Sequence, residues 1–333
     1  MGGNLTRNAV FAVLGGIVFA AIWSGSFVAT KVALTDTSPL LLAGIRLSIA
    51  GAMLLAITFP AARRLWCDAT PRARLAIIGS SLLSQAFYLG ATYTALSTLP
   101  TGMVTVIVAT LPLVSVPIAV GILGERSARA DFIAAGIGVL GSVIVVIGRD
   151  PGALSGAHSV VLPLLGVVLS VVALATGNAL VKPHISYATI MPTCAIQMTL
   201  AGVLLMTLVG GFDSGAHFTL SGHSLGALAY LVVIGSIAGT FIWYRVLTVF
   251  SAKSASMFFL FTPIFGLAIA WTLLGETMTI VQLSGAGVVC ASILFRGVAG
   301  ATPDAIRLPW KALHLARVFA PAKSASLLGA APR

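Results

Sequence analysis

Apolar residues in this chain come in long unbroken runs, and polar residues gather in short stretches between them. A helical run of about 20 apolar residues spans the roughly 30 Å of hydrocarbon in a bilayer. Runs of this kind, or a little shorter, cover Val10 to Ala33, Leu40 to Phe59, Leu75 to Leu96, Gly102 to Leu123 and Phe132 to Ile147. A second series covers Val161 to Val181, Ile190 to Val209, Leu225 to Leu247, Ser254 to Leu274 and Ile280 to Phe295. The pattern predicts an all-α integral membrane protein of ten transmembrane helices. Its loops are too short for a soluble domain; the longest are Pro60 to Arg74, Gly148 to Val160 and Gly210 to Ser224.

A longer period overlies the runs. At an offset of 151 residues, Lys31 falls on Lys182, Tyr93 on Tyr244, Leu96 on Leu247, Pro112 on Pro263 and Ile118 on Ile269. Leu123, Gly124 and Glu125 likewise fall on Leu274, Gly275 and Glu276, and Gly136 on Gly287. Five spans per copy is an odd number, so the second copy must enter the bilayer from the opposite side. The expectation is two inverted-topology five-helix repeats, residues 9–148 and 160–296, followed by a basic tail, residues 297–333.

Composition excludes a soluble globule. Mean hydropathy is +1.07, 58% of residues are hydrophobic and 8% are charged, against about 25% charged in a soluble domain. The net charge of +11 raises the question of nucleic acid. The basic residues, however, lie where a membrane protein carries them. With the N-terminus cytoplasmic, every Lys and Arg falls on a cytoplasmic segment except Arg149, in an outside loop, and Lys31 and Arg46, in or beside spans. This positive-inside bias places both termini in the cytoplasm and argues against a nucleic-acid partner. The first apolar run is too long for a secretory signal, and Lys31 has a repeat mate. Cys67, Cys194 and Cys290 lack metal-ligand spacing and read as free thiols. Leu308 to Phe319, which alternates basic and apolar residues, reads either as a disordered tail or as a segment lying on the inner leaflet.

Polar side chains within a bilayer are costly and are therefore candidates for function. Arg46 lies about 10 Å below the outer boundary by its position in the second span. It is suited to binding a carboxylate through two parallel hydrogen bonds, to pairing with Asp36, or to reaching back to the surface. Trp23 and Ser26 in helix 1, Gln85 and Tyr88 in helix 3, Asn178 in helix 6, Gln197 in helix 7, and Trp243 and Tyr244 in helix 8 complete a candidate substrate pocket. Neutral hydrogen-bonding groups beside aromatic rings suit zwitterionic or modestly apolar metabolites. Tyr93, Trp243 and Tyr244 lie near predicted helix ends and also fit an interfacial aromatic belt. Pro112 and Pro263 are candidates for helix kinks or gating elements. Lys31 and Lys182 are placed to favour helix C-termini, and Glu125 and Glu276 to start or bridge helices. No carboxylate lies mid-span, so coupling through a midplane acid is unsupported.

A first helix carrying Trp23, Ser24, Gly25 and Ser26 and ending in Lys31, a second with Arg46, a fourth with Pro112 that ends in Leu123, Gly124 and Glu125, and a glycine-rich fifth together resemble the EamA repeat of the drug/metabolite transporter superfamily. The second copy departs from the first at Gln197, the mate of Arg46. The resemblance covers roughly residues 9–296. It implies ten helices around a central cavity that moves a small metabolite, commonly an amino acid or related compound and commonly outward.

Two motifs are set aside. Gly136, Gly138 and Gly141 match a dinucleotide fingerprint as text, but they lie inside an apolar span, where small residues let helices approach. Gly222, Ser224 and Gly226 spell a nucleophile elbow, with Glu276 or Asp304 and His314 following, yet a transmembrane helix replaces the required sheet, and Ser224 falls outside while Asp304 and His314 fall inside. The resulting expectation is an inner-membrane secondary transporter of a small metabolite, exporting by alternating access, with no enzymatic activity, no cofactor and no metal. Its partners are its substrate and the lipid bilayer, and a homodimer is an open option. A lipid or lipid-linked-sugar flippase and a membrane-embedded serine hydrolase are the alternatives.

Overall fold

A computed structural model describes residues 2–99, 101–149, 161–212, 215–274 and 279–299. Glu276, Asp213, Asp304, His314 and the tail from residue 300 onward lie outside them, as do most of the loop that joins the expected repeats and the segment Leu308 to Phe319. The chain is helical throughout the described residues, apart from an isolated bridge between Thr37 and Phe218. In order, the helices are α1 (Gly2–Ala33), α2 (Pro39–Asp68), α3 (Pro71–Ser80), α4 (Tyr88–Thr98), α5 (Thr101–Ala109), α6 (Leu111–Leu123) and α7 (Arg129–Arg149). There follow α8 (Val161–Val181), α9 (Ile190–Phe212), α10 (Gly222–Tyr230), α11 (Gly239–Val249), α12 (Ala252–Ser256), α13 (Thr262–Leu274) and α14 (Ile280–Ala299). Among the described residues, seven helical stretches are long and apolar enough to cross a membrane. A shorter apolar stretch covers Ile280–Phe295. This is an all-helical, multi-pass membrane protein. Many of its large apolar side chains face outward, Leu162 and Ile57 among them at 81% and 74% exposed, as a lipid-facing surface requires.

The helices are interrupted at matched places. α3 passes into α4 through a π-helical segment, Ser81–Phe87, and α10 passes into α11 through another, Leu231–Ala238. A π segment widens the turn and re-aims the side chains that follow it. Pro112 and Pro263 do not kink continuous helices. Each is the second residue of a new helix, α6 or α13, and follows a break at Thr110 or a 3₁₀ segment, Met257–Phe261. Proline is tolerated there because the first-turn N–H has no intrahelical partner in any case. The break before α13 is bridged from outside, where the Ser24 hydroxyl donates to the Thr262 carbonyl at 2.9 Å.

The expected connector from Pro60 to Arg74 is mostly helix, since α2 runs through Pro60 to Asp68. The Arg74 guanidinium accounts for this. It donates to the Trp66 and Cys67 carbonyls, each at 2.9 Å, and so covers acceptors that the end of α2 leaves open.

Two helices meet backbone to backbone where glycines face each other's partners. A Cβ on Gly51 in α2 would stand 2.6 Å from the Thr199 amide nitrogen in α9, and one on Gly202 would stand 2.6 Å from that of Ser48. Gly51 and Gly202, like Ser48 and Thr199, are 151 residues apart, so the same contact is made twice across one crossing. Gly138 and Gly141 play the role expected of small residues, lying against Ser292 and Val289 of α14.

A methyl-bearing side chain at the first crossing must therefore push two helices apart. Gly51→Val is expected to lower stability by about 2 kcal/mol or more. Gly121→Ala, with nothing within 4 Å of its Cβ position, should leave thermal unfolding of the detergent-solubilised protein unchanged or slightly raised.

Candidate functional site

Arg46 is 4% exposed and projects from α2 between the two π segments. Its Nε donates to the Ser236 hydroxyl at 2.7 Å, and one Nη donates to the Tyr93 hydroxyl. The other Nη faces Gly235, where a Cβ would come within 3.0 Å of it. The predicted pairing with Asp36 is absent. Asp36 instead accepts from Ser221 at 2.5 Å, in the loop before α10, and no carboxylate among the described residues is within ion-pair reach of Arg46. A guanidinium has five N–H donors, and among the described residues two are engaged.

Arg46 opens onto a narrow cavity. Its walls include Trp23, Gln85 and Tyr88 from the first half of the chain and Asn178, Trp243 and Tyr244 from the second. Most of the predicted site residues thus meet around one space. Ser26 lines a narrow adjoining space with Thr30, Thr92 and Tyr93, and Arg46, Trp23 and Tyr88 border both. Gln197 lies behind the wall, fully buried, and accepts from the Tyr244 hydroxyl at 2.6 Å. Tyr93, Trp243 and Tyr244 are not a surface belt, being 3%, 5% and 1% exposed. α4 and α11 extend past them and pack them inward.

Phe19 and Phe259, which the sequence did not single out, complete the aromatic wall. Phe19 stacks on Trp243 with ring centroids 4.9 Å apart, Trp23 stacks on Tyr88 at 5.6 Å, and Phe259 meets Phe19, Trp23 and Trp243 edge-on at 5.1 to 5.3 Å. The Trp243 indole N–H donates to the Asn178 side-chain oxygen at 3.2 Å, which fixes both. Ser236 was also missed. Its offset from Gln85 by 151 residues was the available signal.

Several bonds recur at that offset. Arg46 with Tyr93 is matched by Gln197 with Tyr244, so a cation and an amide occupy equivalent positions with the same tyrosine partner. Lys31 donates to the Leu96 carbonyl at 2.7 Å, and Lys182 to the Leu247 carbonyl at 2.8 Å and to that of Phe250. Both lysines therefore cover the C-terminal end of a neighbouring helix, α4 or α11, rather than their own. Glu125 accepts from the Ala252 amide at 2.8 Å and caps α12, and Lys253 pairs with Asp131 at 2.7 Å. Both contacts join the halves at one end. At the other end, the segment Asp36 to Ser38 is bonded to the segment His217 to Ser221. Ser224 is no nucleophile. It is fully buried and closes a capping box with Ser221 at the start of α10.

The EamA-like transporter family model matches residues 10–147 and again residues 161–297, so the chain belongs to that family and is a transporter rather than an enzyme. It is 24% identical to a protein of Salmonella typhimurium named as a probable amino-acid metabolite efflux pump, over 83% of this chain and 91% of that protein. It is 26% identical to the uncharacterized inner membrane transporter YedA of Escherichia coli K12, over 84% of this chain and 89% of that one. A solved crystal structure shares the fold at a TM-score of 0.70 and 15% identity, covering 87% of this chain and 97% of its own.

The two tyrosine contacts differ in the charge of the partner, which gives a direct test. Tyr93→Phe removes a bond to a cation and should cost about 1.5 to 3 kcal/mol. Tyr244→Phe removes one to a neutral amide and should cost about 0.5 to 1.5 kcal/mol. Unfolding in detergent micelles measures both.

Proposed function

We propose that this protein is an inner-membrane secondary transporter that exports a small metabolite, an amino acid or a derivative of one, by alternating access. Ten spans in two inverted five-helix halves, with both termini and the basic tail cytoplasmic, are the arrangement on which this reading rests. The observation that carries it is the placement of Arg46. A buried guanidinium without a carboxylate partner opens onto a cavity whose walls come from both halves. An isolated ion in such surroundings costs several kcal/mol, so its retention points to an anionic group that arrives with the substrate.

The bonds that join the halves at each end support the same reading. Opening to one side needs the Glu125 and Asp131 contacts to separate. Opening to the other needs the strap between Asp36 and Ser221 to part. The names of the relatives favour amino-acid metabolites, and the positive-inside charge distribution favours cytoplasmic termini.

In a background with Cys67, Cys194 and Cys290 changed to serine, a cysteine at position 217 should react with an impermeant thiol reagent on intact cells, and one at position 64 only after permeabilisation. External labelling at position 64 would overturn the orientation. Cells that overproduce the chain should accumulate its substrate outside relative to cells lacking it. Arg46→Gln should abolish that difference while the protein stays folded and inserted, because glutamine already occupies the equivalent place at Gln197. Arg46→Lys should restore only part of it, since a point charge lacks the two-pronged geometry that a carboxylate accepts. Export by a well-folded Arg46→Gln variant at the normal rate would remove Arg46 from the binding role.

A further inference from the structure

We infer that the ligand of this cavity is an organic monoanion with a flat apolar body and no free ammonium group, such as an aryl carboxylate or an N-blocked aromatic amino acid. The inference deepens the transport reading above and rests on it.

Charge comes first. Among the described residues lining the two adjoining spaces, Arg46 is the only formally charged one, and no Asp, Glu, Lys or His joins it. A zwitterion entering here would find a partner for its carboxylate and none of opposite charge for its ammonium. Neutral acceptors such as the Gln85 amide line the space but carry no charge to meet an ammonium, and two others nearby are already engaged. The Asn178 side-chain oxygen takes the Trp243 indole N–H, and the Gln197 side-chain oxygen takes the Tyr244 hydroxyl. What remains open is a surplus of donors. One Nη of Arg46 is bonded to nothing among the described residues, and the Trp23 Nε1 atom at the same wall is buried without a hydrogen-bond partner among them. A donor-rich, acceptor-poor space in low dielectric favours an anion.

Shape comes second. The rings around Arg46 are stacked on one another, Phe19 on Trp243 and Trp23 on Tyr88, so their faces are largely covered and poorly placed to hold a cation. A flat apolar group laid against the edges of such rings makes the edge-to-face contacts that aromatic groups favour. The carboxylate is then read at Arg46 and the ring system by the aromatic wall.

The test uses three compounds that share a phenylethyl body: 3-phenylpropionate, phenylalanine and phenethylamine. Trp23 and Trp243 border the site, so binding to the purified full-length protein in detergent can be followed by tryptophan fluorescence. We expect 3-phenylpropionate to bind at least about tenfold more tightly than phenylalanine, with no saturable binding of phenethylamine. Arg46→Lys should weaken 3-phenylpropionate by about tenfold, and a monodisperse Arg46→Gln should bind the three alike. Phenylalanine or phenethylamine binding the wild-type protein as tightly as 3-phenylpropionate would overturn the inference, as would failure of all three to bind. Proteoliposome counterflow separates the two readings. If 3-phenylpropionate binds selectively yet no counterflow occurs, the transport reading falls and the ligand class stands. If phenylalanine exchanges as well as 3-phenylpropionate, the ligand class falls and transport stands.

Discussion

Every peptide N–H and C=O within hydrocarbon has to find a partner inside the chain, because no water is there to supply one. Where this chain breaks its helices, a side chain from elsewhere meets the exposed backbone. Ser24 reaches the carbonyl of Thr262 ahead of the Pro263 helix, Lys31 and Lys182 cover the ends of α4 and α11, and Glu125 meets the first turn of α12. The irregular segments thus tolerated are the ones that shape the cavity. The π turns at Ser81–Phe87 and Leu231–Ala238 carry Gln85 and Ser236, and Tyr88 follows directly on the first. Helix interruption and site formation have a single cause.

Much of this was legible from residue types and spacing. Polar side chains stranded in apolar runs identified Arg46, Trp23, Gln85, Tyr88 and Asn178, because the cost of burying them is independent of the fold. The offset of 151 residues recurs in the contacts, where Arg46 meets Tyr93 as Gln197 meets Tyr244. What failed depended on the third dimension. Tyr93, Trp243 and Tyr244 lie near ends of hydropathy runs, which suggested an aromatic belt, but hydropathy does not report that the helices continue and turn those faces inward. Asp36 was a plausible partner for Arg46 by sequence distance alone, whereas a loop from the other half claims it. Phe19 and Phe259 could not be singled out, since a phenylalanine in an apolar helix has the same signature whether it meets lipid or a ligand.

The closeness of α2 and α9 has a bearing on the site as well as on stability. With Gly51 and Gly202 allowing backbone contact, Arg46 and Gln197 are held on helices whose spacing cannot relax by the width of a methyl group without losing packing. A binding group carried on rigid, closely crossed helices is positioned more precisely than one on a loop. The ordered partners Ser236 and Tyr93 then fix the plane of the guanidinium.

A pocket assembled from equivalent halves would ordinarily offer any occupant two interchangeable poses, one the reverse of the other. The exchange of guanidinium for amide, Arg46 against Gln197, works against that degeneracy, as do Trp23 against Leu174 and Tyr88 against Gly239, while both tyrosine contacts stay in place. The paired contacts persist, and the interior beside them acquires a head and a tail. A molecule that lies there has one preferred orientation, so the same end of it leads whenever it departs toward a given face.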